Sequence, residues 1–388
     1  MLLALLWLVG ANLRTVLLGV PPTLPALHRG LGLSYSAAGL LTAMPVLILA
    51  LGAIPGAYLV NRVGARRAVT YGLAILTLGT ALRGALSLPL TLFFFTALLA
   101  LGIAISQPAM PALVEVWFPR QIARASAIYT NGLLAGEVIA ATITLPFLLG
   151  ALHLGWQAGL SFWAIPAAGC LGLWLLIVPR LGQTGTAPPF GNWLPNVRSW
   201  DMWRIGLLMG GTSLVYFGMN SWIPDTLEVR GGHHLIALSL GLLNFMQLPV
   251  SAALAVAGDS LLGRRWPYVF AGLLSLLGVS GYLAGPLDLA PICAGLMGAA
   301  SSLVFIMNLG LPAVLAPGEV PRFSGFMFTV GYGCAFFGPA LGGFAWDLTG
   351  RSAFAVLPMG IAALSIVALG ASLPQMRSAA GGVSSKVV

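Results

Sequence analysis

The sequence predicts an all-α membrane protein: twelve transmembrane helices in two pseudo-symmetric six-helix bundles. Three observations carry this. Of the 388 residues, 59% are hydrophobic and only 7% charged, with a mean hydropathy of +0.96; a soluble domain carries about 25% charged residues. No soluble core could hide so much apolar surface and leave so little polar surface for water. Pro, Gly and charge then divide the chain into twelve apolar segments, each near the roughly 20 residues that cross a hydrocarbon core. Finally, the halves echo each other. MPALVEVWFPRQIARASA, from Met110, carries Glu115, Arg124 and Ser126, and LPAVLAPGEVPRFSGF, from Leu311, carries Glu319, Arg322 and Ser324. NRVGARR, from Asn61, is likewise echoed by DSLLGRR, from Asp259.

In order along the chain, span 1 (3–27) is an apolar run holding Asn12 and Arg14. Residues 1–11 lack a basic stretch and no small-residue cleavage site follows, so this helix is expected to stay in the protein. Span 2 (37–60) ends in the loop bearing Asn61, Arg62, Gly64, Arg66 and Arg67, and span 3 (68–86) carries Arg83 near its outer edge, where it is expected to snorkel to the surface. The turn Ser87 to Pro89 opens span 4 (90–113), with Phe93 to Phe95 toward lipid or interface and Gln107 farther in. Span 5 (124–148) holds Asn131, the close-packing pair Gly132/Gly136, and Glu137. Span 6 (157–178) completes a first bundle, 1–179, and the Gly/Pro-rich stretch 180–202 reads as a cytoplasmic linker. Span 7 (203–223) sets Thr212, Tyr216 and Asn220 at i, i+4, i+8, and span 8 (235–257) sets Asn244, Gln247 and Ser251 at i, i+3, i+7, so each set shares a face. Asp259, Arg264 and Arg265 follow in the next loop. Span 9 (267–284), span 10 (289–312, with Asn308), span 11 (323–345, with Tyr332 and Gly338/Gly342) and span 12 (353–373) complete a second bundle, 203–374. Residues 375–388 are expected to form a disordered cytoplasmic tail.

Charge sets the orientation. Arg29, Arg83, Arg230 and Arg351 fall on one side and Arg14 within the membrane; the other 13 of the 18 basic residues fall on the opposite side. Basic loops mark the cytoplasm, so both termini are expected there. The net charge of +9 therefore reports topology and no nucleic-acid partner. His28, His153, His233 and His234 fall in outer loops and are expected to be exposed. Cys170, Cys293 and Cys334 lie in apolar segments and read as small packing residues, without a disulfide or metal site. The chain has no HExxH, no GxSxG, no paired His inside a span and no ATP-binding motif, so an enzyme and a cofactor are not expected. No segment is long enough for a soluble receptor domain.

Two charges lie deep in the apolar runs. Arg14 is about 11 residues into span 1, roughly 17 Å at 1.5 Å per residue, and Glu137 about 13 residues into span 5, roughly 20 Å; both depths fall near the middle of a core about 30 Å thick. A charge there costs about 2.5–3.5 kcal/mol on insertion scales, and such residues are usually partnered and functional. Their matched depth allows a structural pair stapling spans 1 and 5. It also allows a site in which Arg14 offers a fixed cation to an anion and Glu137 exchanges a proton. Arginine suits the first role because its fork grips a carboxylate-like group and stays charged. The polar stripe residues Gln107, Asn131, Tyr216, Asn220, Asn244, Gln247 and Tyr332, with Asn12, would line a wet central cavity or bond helix to helix. Aligning PPTLP (from Pro21) with IPDTL (from Ile223) puts Phe217 opposite Arg14.

This pattern resembles the major facilitator superfamily. The family's loop between spans 2 and 3 usually reads G-x-x-x-D-R-x-G-R-R. Here AYLVNRVGARR, Ala57 to Arg67, keeps Arg62, Gly64, Arg66 and Arg67 in register, with Asn61 for the acid and the leading glycine displaced to Gly56. Asn61 can act in that gating loop by hydrogen bonding where the family's acid ion-pairs; Asp259, Arg264 and Arg265 are its echo. ANLRT in span 1, SQPAMPALVEVWFPR closing span 4, YTNGLLAGE in span 5 and NSWIP closing span 7 are similar to the cyanate permease and nitroimidazole transporter-like branch. The resemblance implies secondary transport of a small solute by rocking bundles, by a monomer in the cell (inner) membrane. Cyanate-like anions and small neutral organics are both candidates. The residues favour a small anionic or strongly polar solute near Arg14, coupled to protons through Glu137, over a proton-driven exporter of drug-like or neutral compounds.

Overall fold

The computed structural model describes residues 1–178, 199–261, 264–315 and 320–373. The linker reading of 180–202 falls almost wholly outside the described residues, as does the tail. So do the side chains of Asn61, Glu115, Asp259, Glu319 and Arg322.

Every predicted span is a helical column. Spans 2, 3, 7, 9, 10, 11 and 12 are single helices: Tyr35–Val63, Ala65–Leu82, Trp200–Val229, Trp266–Ala284, Ala290–Leu315, Val320–Thr349 and Ala353–Ser372. Spans 1, 4, 6 and 8 are each broken: Leu2–Leu18 before Leu24–Leu31, Pro89–Ser106 before Ala109–Trp117, Trp156–Phe162 before Ala164–Ile177, and Ile236–Phe245 before Gln247–Leu261. The breaks share one feature, which the unbroken helices holding Pro45, Pro55, Pro339 and Pro358 show is not sufficient by itself. Leu18, Gln107, Phe162 and Phe245 each stand four residues before a proline (Pro22, Pro111, Pro166, Pro249), whose missing N–H and ring deny that carbonyl its helical partner. Span 5, Ile122–Ile143, instead passes Pro146 by widening into the π-helical stretch Thr144–Ala151. Spans 2 and 3 turn on one residue, Gly64, at φ +85°, a conformation that side chains with a Cβ rarely adopt.

Among the described residues, ten columns are long and apolar enough to cross a membrane. The other two are spans 3 and 7. Span 3 opens with Arg66 and Arg67, and span 7 carries Asp201, Arg204, Asp225 and Glu228. Span 7 is also longer than the sequence predicts. Pro224 reads as a terminator, yet the helix runs through it to Val229.

Packing repeats between the halves. Spans 1 and 5, 2 and 4, 3 and 4, 3 and 6, and 1 and 6 lie together, and the same pairs recur as 7 and 11, 8 and 10, 9 and 10, 9 and 12, and 7 and 12. Spans 2 and 11 and spans 5 and 8 join the halves. Span 1 is the most enclosed of the ten apolar columns, 78% buried, and span 6 the least, 28%. The residues of span 1 are therefore placed at the centre of the molecule.

Candidate functional site

Glycine brings the two deep charges together. Gly132 and Gly136 of span 5 lie on the backbone of span 1, where a Cβ would collide with the Trp7 and Ala11 carbonyl oxygens. That approach sets Arg14 Nε 3.4 Å from Glu137 Oε1, with both side chains buried. Each member also reaches into the other half. Arg14 Nη2 donates to the Tyr332 hydroxyl at 3.2 Å, and Gln247 Nε2 donates to Glu137 Oε2 at 3.1 Å. Arg14 Nε and Nη1 have no hydrogen-bond partner although both are buried. Leaving a buried charged donor unsatisfied is costly, so this guanidinium has unspent capacity to bind.

The pair lines a cavity of about 70 Å³ with Tyr216, Phe217, Gln247 and Tyr332. One water needs about 10–15 Å³ on this measure, so the space suits a few waters or a solute of few heavy atoms. Its remaining wall mixes hydroxyls (Thr130, Thr212, Ser213, Ser301, Ser302) with apolar Leu133, Leu134, Phe305 and Ile306. Phe217 and Arg14, matched across the repeat, both face this space.

Of the other candidate residues, some lie nearby and some do not. Tyr216 donates to Asn244 Oδ1 at 2.5 Å, and Asn244 Nδ2 donates to Asn220 Oδ1 at 2.9 Å, a buried chain leading outward from the cavity. Asn131 is exposed and accepts from Trp7 Nε1; its neighbour Thr130 faces the cavity instead. Asn12 bonds the Leu8 carbonyl of its own helix, and Gln107 sits at the break in span 4; neither lines the cavity. On span 10, Ser301 and Ser302 line it and Asn308 does not. In the loop region, Arg62 lies over the Tyr58 ring, Arg67 and Arg264 are exposed, Arg66 is partly buried, and Arg265 donates to the Leu373 carbonyl.

The end of the molecule opposite that loop is closed by contacts between the halves. His28 lies 3.0 Å from Asp225, and Arg29 lies 2.9 Å from Glu228, which also holds His233. Tyr35 stacks on Trp346 at 3.8 Å. Asp347 accepts from the backbone N–H groups of Tyr35 and Ser36, at 3.1 and 2.8 Å. Two expectations change here. His28 is partly buried and engaged where exposure is predicted. Arg83 does not snorkel: it is fully buried, donating from Nε and Nη2 to the Leu160 carbonyl and from Nη1 to the Val16 carbonyl. Both carbonyls lie just before a proline-induced break and accept donors that the broken helices cannot supply.

The Major Facilitator Superfamily profile matches residues 5–259. The cyanate transport protein of Escherichia coli (strain K12) is 27% identical over 358 residues, 90% of this chain and 91% of that protein. The 2-nitroimidazole transporter of the same organism is 29% identical over 378 residues, 94% and 93%. Among solved structures, a D-xylose-proton symporter superposes with a TM-score of 0.74 at 13% identity, covering 96% of this chain and 98% of that one. An inward-facing bacterial homologue of the human lysosomal transporter Spinster superposes at 0.70 and 15% identity, covering 96% and 94%.

Proposed function

Because the chain belongs to the Major Facilitator Superfamily, and so is a multi-pass membrane protein for secondary transport of small solutes, we propose that its solute is a small anion or strongly polar molecule held by Arg14, with transport coupled to protons through Glu137. The observation that carries this reading is the guanidinium of Arg14: it borders the central cavity with Nε and Nη1 free of hydrogen bonds. An incoming anion takes those N–H groups and competes with Glu137 for the cation. Glu137 answers by accepting a proton, and its neutral form keeps a partner in Gln247. When the anion leaves, the proton leaves too and the ion pair is restored. Both partners also touch the second half, through Tyr332 and Gln247, so the exchange is felt where the two halves must part.

Cyanate and 2-nitroimidazole, named for two relatives, share compact size and terminal acceptor atoms, which suits this cavity. The apolar part of the wall supports the alternative, a proton-driven exporter of drug-like or neutral organic compounds. The loop charges support both termini in the cytoplasm of a cell (inner) membrane, and the reading is of a monomer that is not an enzyme. The test is uptake and counterflow in proteoliposomes, with and without a pH gradient, using cyanate, small carboxylates and nitro-aromatics. Arg14→Ala should abolish transport of the solute that gives counterflow, and Arg14→Lys should restore only part of it. Unchanged transport in Arg14→Ala would overturn the proposal.

A further inference from the structure

Arg83 is a second buried cation, and the central site does not use it. Among the described residues no carboxylate lies within ion-pair distance of it, and its partners are three hydrogen bonds to the Val16 and Leu160 carbonyls. A guanidinium has five N–H groups, so one on each terminal nitrogen remains. Capping two helix breaks explains its position but leaves its charge unneutralised, a costly state inside a membrane that usually marks function. It also borders a cavity of about 20 Å³, with Thr42, Thr96, Asn220 and Ser221. Thr96 is 1% exposed, and its buried hydroxyl has no hydrogen-bond partner.

This small cavity adjoins the central one. Phe217 lines both, and the bonded chain Tyr216–Asn244–Asn220 runs from one to the other. Its fixed wall (Thr42, Arg83, Thr96) comes from the first half, and its cover (Phe217, Asn220, Ser221) from span 7 of the second. When the halves separate at the end now closed by His28 and Asp225, that cover withdraws and Arg83 faces the opening.

We propose that Arg83 and Thr96, with Thr42 in the wall beside them, form a second anion-binding station on the outer side of Phe217, which receives a small monovalent anion before it passes to Arg14. The proposal rests on the anion reading of the central site, but its test does not depend on transport. In a background with Cys170, Cys293 and Cys334 replaced by Ala, Thr42→Cys is exposed in intact cells to two membrane-impermeant methanethiosulfonates, one bearing a sulfonate and one a trimethylammonium group. Rates are normalised to those of a small free thiol. A wall of one sign concentrates its counter-ion by about tenfold or more, so the sulfonate should react about tenfold faster than the ammonium reagent. Thiocyanate or nitrate should slow it. Arg83→Gln should bring the ratio to about one, Arg83→Lys should preserve it, and Arg14→Gln should leave it unchanged. A ratio near one with Arg83 present, or a ratio indifferent to Arg83→Gln, overturns the station and leaves Arg83 as a helix cap. The same holds if Ser221→Cys reacts and Thr42→Cys does not. Failure of the central reading shows separately, as transport surviving Arg14→Ala.

Discussion

At the scale of single residues, the site rests on two deep charges 3.4 Å apart, each also bonded to the second half through Tyr332 or Gln247. Arg14 and Glu137 stand out because nothing else in their surroundings is ionic, and equal depth suffices to pair them. Asn131 shows the limit. One residue along a helix is a rotation of about 100°, so Thr130 faces the cavity while Asn131 points to Trp7. Ser301 and Ser302 carry no signal at all, since short hydroxyls are ordinary in membrane helices. Glu137→Gln should keep the bond to Gln247 and lose the titrating group. Counterflow should survive and accumulation driven by a pH gradient should disappear, as read by paired assays in one proteoliposome preparation. Glu137→Ala leaves Arg14 buried without its counter-charge, which costs about 3–5 kcal/mol. Thermal unfolding in detergent should show that loss clearly, and Arg14→Ala/Glu137→Ala should recover part of it.

At the scale of elements, the spans followed from apolar length, but the breaks inside spans 1, 4, 6 and 8 went unread although a proline follows each by four residues. Pro224 misled: it reads as an end but lies inside a helix that runs on to Val229, as prolines are tolerated in membrane helices. The glycine pair of span 5 was legible as a packing device, and its partner helix was not. Gly136→Val should push span 5 away from Ala11, destabilising the protein by about 1–3 kcal/mol and separating Arg14 from Glu137. Gly169→Ala, where a Cβ meets nothing within 4 Å, is the matched control and should leave both unfolding temperature and transport near their original values. The loop glycine Gly64 belongs to the same class of prediction. Gly64→Ala places a Cβ at φ +85° with ψ 148° and should cost about 1–3 kcal/mol.

For the whole molecule, the sequence echoes at equivalent loops anticipated the repeated packing of spans. The closure between halves was not legible. His28, Arg29, Asp225, Glu228 and Asp347 are separated by up to 319 residues, and each alone reads as an ordinary loop charge. Together they hold one end shut. Asp225→Asn combined with Glu228→Gln should shift the population toward the opposite opening by roughly tenfold, since it removes one exposed pair, Arg29–Glu228, and one made by the buried Asp225. Faster labelling of Thr42→Cys from outside, with unchanged thermal stability, is the expected result. Equal labelling would mean that the Tyr35–Trp346 stack and Asp347 suffice to hold the closure.

Asp347 gives that closure a further meaning. The first two amides of the helix Tyr35–Val63 have no partner within their own helix, as at any helix start, and their acceptor is a carboxylate from the other half of the protein. Each opening of the gate therefore uncaps a helix, and each closing caps it again. The amide protons of Tyr35 and Ser36 should exchange with deuterium only during the open interval. Their exchange rate becomes a clock for the transport cycle, readable by mass spectrometry without a covalent probe, a mutation or a known solute.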